Sequence, residues 1–162
     1  MTPRPLPSFA MSTAPVDIAV FSKDRRPILV AEVREGKLYS TVESATGLRR
    51  SLMAHQFLPD VPFFMLATPI QIFLWVGDAT PETLPNYSAS AEPVMDSYSS
   101  KHANRARPHR GGALEIVIFS WLADVASGIR PLSADSALDR MLLDSGLYEQ
   151  IRGGSAEFEV KL

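Results

Sequence analysis

The sequence contains no cysteine among its 162 residues. This absence excludes disulfide bonds, zinc sites built on thiolates and a thiol nucleophile, and it fits a reducing compartment such as the cytoplasm. A long apolar run is also lacking, because the longest one, residues 63–76, is interrupted by Pro69 and Gln71. Since a membrane helix needs about 20 apolar residues, the sequence predicts a cytoplasmic protein without a membrane span.

A large net charge is absent as well, since the formal value is −2 at pH 7. The protein as a whole therefore exerts no strong attraction on nucleic acid, and such binding would need a local basic patch. With 46% hydrophobic and 21% charged residues, the composition is typical of a globular protein. We expect an extended, proline-containing arm at residues 1–15 and a single domain at residues 16–162.

Two runs rich in β-branched residues, 16–22 and 28–34, are separated by the polar connector KDRRP. They predict an antiparallel hairpin, and their mostly apolar residues favour a position in the centre of a sheet. Opposed residues of a hairpin have a constant index sum. With the turn centred on the connector, this sum places Asp17 opposite Glu32.

The rest of the chain predicts elements that flank and extend this hairpin. Ser40 and Glu43 have the spacing of a capping box, which indicates a helix from Ser40 to about Phe57. Strands are predicted at 63–68 and 71–76, followed by a long flexible loop at about 77–112. Helices are predicted at 114–128 and 133–144. The chain then forms a half-exposed strand at 156–162, with Glu157, Glu159 and Lys161 on one solvated face. The predicted fold class is α/β, a mixed sheet flanked by helices.

Three charged side chains are expected to converge at the ends of the hairpin strands. Cross-strand partners have Cβ atoms about 4.5–5.5 Å apart, so Asp17 and Glu32 could share one cation. Arg34, two residues beyond Glu32, joins them. Paired carboxylates can hold Mg²⁺, which polarises a phosphoryl group and lowers the pKa of an attacking water, while a neighbouring cation stabilises developing charge. The arrangement suggests phosphodiester hydrolysis.

At these residues the sequence resembles the PD-(D/E)XK, or restriction-endonuclease-like, superfamily, whose signature is an Asp on one strand and Glu-x-Lys on the next. The matching stretch is VDIAVFSKDRRPILVAEVR, and the later GLRRSLMAHQFLP, PFFMLATPIQIFLW and DSGLYEQIRGG look similar to bacterial proteins of that superfamily. The resemblance implies a restriction-endonuclease-like fold and Mg²⁺-dependent cleavage of DNA. Asp17 and Glu32 would be the metal ligands, and Arg34 would stand in the Lys position.

The sequence departs from the family pattern in two places. Arginine replaces the signature lysine at position 34, and its planar guanidinium stays charged and prefers bidentate partners. The family's leading helix and first strand, often the source of another acid, are not evident in residues 1–15. A truncated or inactive relative therefore stays open as an alternative.

Two structural alternatives accompany the nuclease interpretation. Arg34 could simply form an ion pair with Asp17 or Glu32, which would give a satisfied ionic cluster at the end of the sheet. The scaffold could also serve as an inactive interaction module that binds nucleic acid or holds a partner protein, and a homodimer could cover an exposed sheet edge.

Contacts with DNA are expected from two basic groups of residues. Arg49 and Arg50 lie on the first predicted helix, where a solvated helix face is the other interpretation. The segment KHANRARPHR contains no acid and is the strongest local phosphate attractor, although it could also be a flexible tether. Its cations are Lys101, Arg105, Arg107 and Arg110.

Overall fold

The computed structural model describes residues 15–55, 57–77, 80–99 and 112–162. The predicted arm at residues 1–15 lies outside these ranges except for Pro15. The basic segment 101–110 lies outside them entirely. Among the described residues, none of the helices has the length and apolar character that crossing a membrane requires.

The described chain forms an α/β fold around one six-stranded mixed sheet with the strand order β5-β4-β3-β2-β1-β6. The strands are β1 Val16–Phe21, β2 Pro27–Val33, β3 Phe63–Ala67, β4 Gln71–Val76, β5 Tyr87–Ser90 and β6 Ser155–Val160. The helices are α1 Val42–Ala54, α2 Glu92–Val94, α3 Gly112–Ser127, α4 Ala137–Asp144 and α5 Leu147–Ile151, and a π-helical turn, Met95–Ser99, follows α2.

The hairpin of β1 and β2 lies inside the sheet, as the sequence predicts. Its register pairs Ile18 with Ala31 and Val20 with Leu29, which is the predicted index sum. The register shifts after Val20, at the end of the hairpin that carries the turn. The predicted alignment of the two strands is therefore confirmed up to this irregularity.

On its other side, β2 pairs in parallel with β3, and α1 forms the crossover between these two strands. Strand β4 returns antiparallel to β3 through a turn at residues 68–70. The first residue of this turn, Thr68, is fully buried, and its hydroxyl accepts from the backbone N–H groups of Ile70 and Gln71. The outer neighbour of β1 is β6, which pairs with it in antiparallel orientation. The last strand of the described chain thus completes the sheet next to the hairpin.

Two apolar clusters cover the two faces of the sheet. On one face, α3 contributes Trp121 and Leu122, which belong to the same buried cluster as Ile18 and Leu29. On the other face, Leu52 of α1 belongs to a cluster with Trp75 and other strand residues. Burial of each large apolar side chain stabilises the fold by about 1.5–3 kcal/mol. The sheet is consequently held between α1 and the helices of the C-terminal half.

Several predicted boundaries need correction. The N-cap of the first helix is Thr41 and not Ser40, because the Thr41 side chain and Ser44 exchange the capping bonds, and the helix ends at Ala54. The helix predicted at 133–144 begins at Ala137 with Ser136 as its N-cap. The loop predicted at 77–112 is wrong over residues 87–99, which form β5, α2 and the π-helical turn. Helix α5 was not predicted.

Candidate functional site

The carboxylates of Asp17 and Glu32 meet where the ladder between β1 and β2 ends. The backbone N–H of Val33 donates to Asp17 Oδ2 at 2.8 Å, and the backbone N–H of Asp17 donates to Glu32 Oε2 at 3.3 Å. Each side chain therefore accepts a bond from the backbone of the opposite strand. These bonds fix the position of both carboxylates at the end of the hairpin, whose two strands lie inside the sheet.

Arg34 reaches both carboxylates from the end of β2. Its Nη1 lies 3.3 Å from Glu32 Oε1 and 3.6 Å from Asp17 Oδ2, and it also donates to the backbone oxygen of Val33 at 3.0 Å. The side chains of Arg34 and Asp17 are 31% and 30% exposed, whereas that of Glu32 is 10% exposed. The convergence predicted from the sequence is thus present, with the guanidinium between the two acids and open to solvent on one side.

A third carboxylate, Glu115, comes from the first turn of α3 and was missed by the sequence interpretation. Its residue is buried, and no described residue supplies a hydrogen bond to its Oε2 atom. The adjacent Leu114 N–H donates to Glu35 Oε2 at 3.2 Å, which ties the start of α3 to the segment after β2. The sequence carried one signal of this role, because Glu115 occupies the same helical stripe as the apolar Ile118 and Leu122.

Burial and mutual repulsion raise the pKa values of two glutamates in this acidic cluster. Burial, followed by repulsion from Asp17, raises the pKa of Glu32 to about 7 although Arg34 opposes the change. Burial also raises the pKa of Glu115 to about 7, and repulsion from Asp17, Glu159, Glu32 and Glu35 adds to it. One arginine does not balance these acids, so the cluster favours an additional proton or a cation.

These shifts make the folded state sensitive to pH. Both glutamates start from an ordinary pKa of 4.5, which is raised in the folded state. The folded protein therefore binds more protons than the unfolded chain between about pH 4.5 and 7. The contribution of these two glutamates to stability is therefore fully present below this window and is lost as the pH rises through it.

The donor set suits a hard divalent cation. Within the described ranges, no group of three or more acidic or histidine side chains is close enough together to hold a metal ion unaided. Mg²⁺, however, is commonly held by only one or two protein carboxylates, with water and substrate phosphate completing its octahedron. Asp17 and Glu32 supply such oxygen donors. Glu115 acts on them through its charge, and its buried Oε2 has no hydrogen-bond partner among the described residues.

Arg49 and Arg50 occupy different environments on α1. The expectation that Arg49 faces solvent is wrong, because it is buried, donates to the Thr80 oxygen at 2.8 Å and lies over the Trp75 ring. Arg50 is exposed and forms a 3.1 Å ion pair with Glu82. Both arginines thus contact the segment before β5. The other predicted DNA contacts, Lys101, Arg105, Arg107 and Arg110, lie outside the described residues.

Glu159 is exposed, as expected for the solvated face of the final strand. Its backbone is irregular, because it has a positive φ of 46° near the end of β6, an uncommon conformation for a residue with a side chain. Its charge contributes to the raised pKa of Glu115. The final strand therefore adds negative charge to the cluster formed by Asp17, Glu32 and Glu115.

Comparison of the chain with protein-family models, with curated proteins and with solved structures finds no match.

Proposed function

We propose that this protein is a restriction-endonuclease-like nuclease in which Asp17 and Glu32 hold Mg²⁺ for phosphodiester hydrolysis of DNA. The observation that carries the proposal is the meeting of these two carboxylates, from two central strands, with Arg34 beside them. A chance pair of surface acids would not need the reciprocal backbone bonds that fix both side chains.

The topology supports the proposal. The chain forms the antiparallel hairpin of β1 and β2, then the crossover helix α1, and then β3, which is parallel to β2. This order of strand, strand, helix and strand supports the resemblance to the superfamily. Within the described residues, β6 pairs with the outer side of β1, and the charge of Asp17 and Glu32 acts on the acid Glu115 of α3.

Each residue has a defined task in this mechanism. Bound Mg²⁺ would supply Lewis acidity toward the phosphoryl group and lower the pKa of an attacking water. Asp17 and Glu32 would hold the ion as carboxylates, and because the pKa of Glu32 is raised to about 7, binding would be weaker below this pH. The planar guanidinium of Arg34, which is partly open to solvent, would bind a phosphate oxygen of the DNA.

A second candidate function is an inactive module that keeps the scaffold and binds DNA or a partner protein. The observation in its favour is the position of Arg34, whose Nη1 already contacts both carboxylates where a cation would bind. In this case the guanidinium permanently occupies the cation position between the two acids. The two candidates differ in whether Arg34 leaves the carboxylates when a divalent cation is supplied.

Cleavage of supercoiled plasmid DNA tests the proposed function. We expect the protein to cut in Mg²⁺ or Mn²⁺, and Asp17→Asn to lower the rate at least about 100-fold because a ligand and its charge are lost together. Asp135→Asn is a matched control, since it removes an exposed carboxylate far along the chain from the site. Its rate should remain that of the natural protein.

The variant Arg34→Lys distinguishes the two candidates further. A compact ammonium leaves more space next to the carboxylates, so cleavage should be equal to or faster than in the natural protein. If neither protein cuts DNA or RNA with either metal, while Asp17→Asn leaves folding intact, the inactive module replaces the nuclease.

A further inference from the structure

The tip of the β1–β2 hairpin forms a cleft at the opposite end of β1 from Asp17. The cleft has a volume of about 280 Å³, and its walls come from the hairpin turn and from the segment containing α5. Three cations line it, namely Lys23 and Arg26 on the turn and Arg152 after α5, together with the acids Asp24 and Glu149. The cleft is therefore separate from the proposed nuclease site, and its cations outnumber its acids.

The backbone around this cleft is fixed. The N–H of Ser22 donates to the Arg26 oxygen at 2.9 Å, and the N–H of Arg26 donates to Ser22 Oγ at 3.1 Å, which closes the turn. A Cβ atom at Gly153 would lie 3.5 Å from Lys23 Cβ and Cδ, an ordinary contact distance, so the lysine stem lies close to the chain after α5. The hairpin turn and the chain after α5 therefore adjoin each other at the cleft.

The cations of the cleft are only loosely neutralised. Arg26 Nε lies 3.7 Å from Asp24 Oδ2, and Arg152 Nη2 lies 3.6 Å from Glu149 Oε1, with all four side chains at least 60% exposed. Such long, solvent-exposed pairs contribute about 0–1 kcal/mol, so a better acceptor can replace them. Asp24 also accepts a short bond from the Ser22 hydroxyl. Lys23 forms no ion pair with a described residue.

We propose that this cleft binds a phosphate group, with Arg26 and Arg152 acting from its two walls and Lys23 from the turn. A phosphate dianion can accept from two guanidinium forks and an ammonium at once, whereas a single carboxylate is satisfied by one fork. Arg25, the remaining cation of the turn, points to the other side, where it binds Glu157 at 2.9 Å. The phosphate comes from a small molecule or from a nucleic-acid backbone, and these two sources give different experimental results.

Calorimetric titration of the full chain in EDTA, with sodium chloride matching the ionic strength, tests this site. The probes are inorganic phosphate and a short DNA duplex, and the proteins are the natural chain, the double variant Arg26→Gln with Arg152→Gln, and the control Arg140→Gln. Arg140 is an exposed arginine outside the cleft that donates to the Ala134 oxygen. All three changed arginines have exposed side chains, and urea unfolding of each variant checks that the fold is retained.

We expect the double variant to bind its probe about tenfold more weakly than the natural chain, while Arg140→Gln binds normally. An effect on inorganic phosphate assigns the site to a small phosphate ligand, and an effect on the duplex alone assigns it to a nucleic-acid backbone. If both probes bind the double variant as well as they bind Arg140→Gln, or if neither probe binds at all, the proposed site does not exist. EDTA keeps this result independent of the metal site at Asp17 and Glu32.

Discussion

Replacing Arg34 with alanine should lower the free energy of unfolding by about 2–3 kcal/mol at pH 8 and by less than half as much at pH 5. At pH 8 Glu32 is mostly ionised, because its pKa is about 7, and the variant leaves this charge beside Asp17 without the arginine. At pH 5 Glu32 is mostly protonated in the folded state. The loss of the arginine then leaves one negative charge fewer without a partner.

Urea unfolding at the two pH values measures this effect. The matched control is Arg50→Ala, which removes an exposed arginine from its 3.1 Å pair with Glu82 and should cost less than about 1 kcal/mol at either pH. Equal losses for the two variants at pH 8 would mean that Arg34 does not neutralise the acidic cluster.

Replacing Gly154 with alanine should destabilise the fold by at least about 3 kcal/mol. A Cβ atom at this position would lie 1.8 Å from the backbone oxygen of Phe21 and 3.0 Å from that of Ile151. Neither oxygen can move without shifting the end of β1 or the end of α5. The substitution therefore pushes the turn between α5 and β6 away from the end of β1.

Thermal and urea unfolding of Gly154→Ala should be compared with those of Gly36→Ala. A Cβ atom at Gly36 has no neighbour within 4 Å, so this control should stay within about 0.5 kcal/mol of the natural protein. If Gly154→Ala is as stable as the control, Gly154 does not lie in close contact with the Phe21 backbone of β1.

The hairpin and its register could be predicted because the information is local. Residues 16–34 contain both strands and the connector, and the index sum then places Asp17 opposite Glu32 without knowledge of any other element. Strand β5 gave no such signal, since Tyr87–Ser90 lacks a run of β-branched residues and gains its structure by pairing with β4. The order of neighbours across the sheet depends on contacts that no short segment encodes.

The residues of the candidate site likewise fall into those that a local segment predicts and those that depend on distant contacts. The Asp17, Glu32 and Arg34 cluster follows from one hairpin, whereas Glu115 is brought in by α3, a helix far along the chain. Arg49 shows the opposite error, because both interpretations of it, a DNA contact and a solvated helix face, require an exposed side chain, whereas it is buried. The Trp75 ring and the Thr80 oxygen provide the tertiary contacts that bury it. Such contacts become visible only when α1 lies against the sheet.

The most direct test of the account is calorimetric titration of Mn²⁺ into the natural protein and into Asp17→Asn at pH 8, which lies above the raised pKa of Glu32. We predict saturable binding to the natural protein, and at least about tenfold weaker binding to Asp17→Asn because one of two carboxylate ligands is lost. The Val33 N–H can still donate to the asparagine oxygen, so the fold should be retained. The absence of saturable binding, or equal binding by the variant, would contradict a divalent-cation site at Asp17 and Glu32.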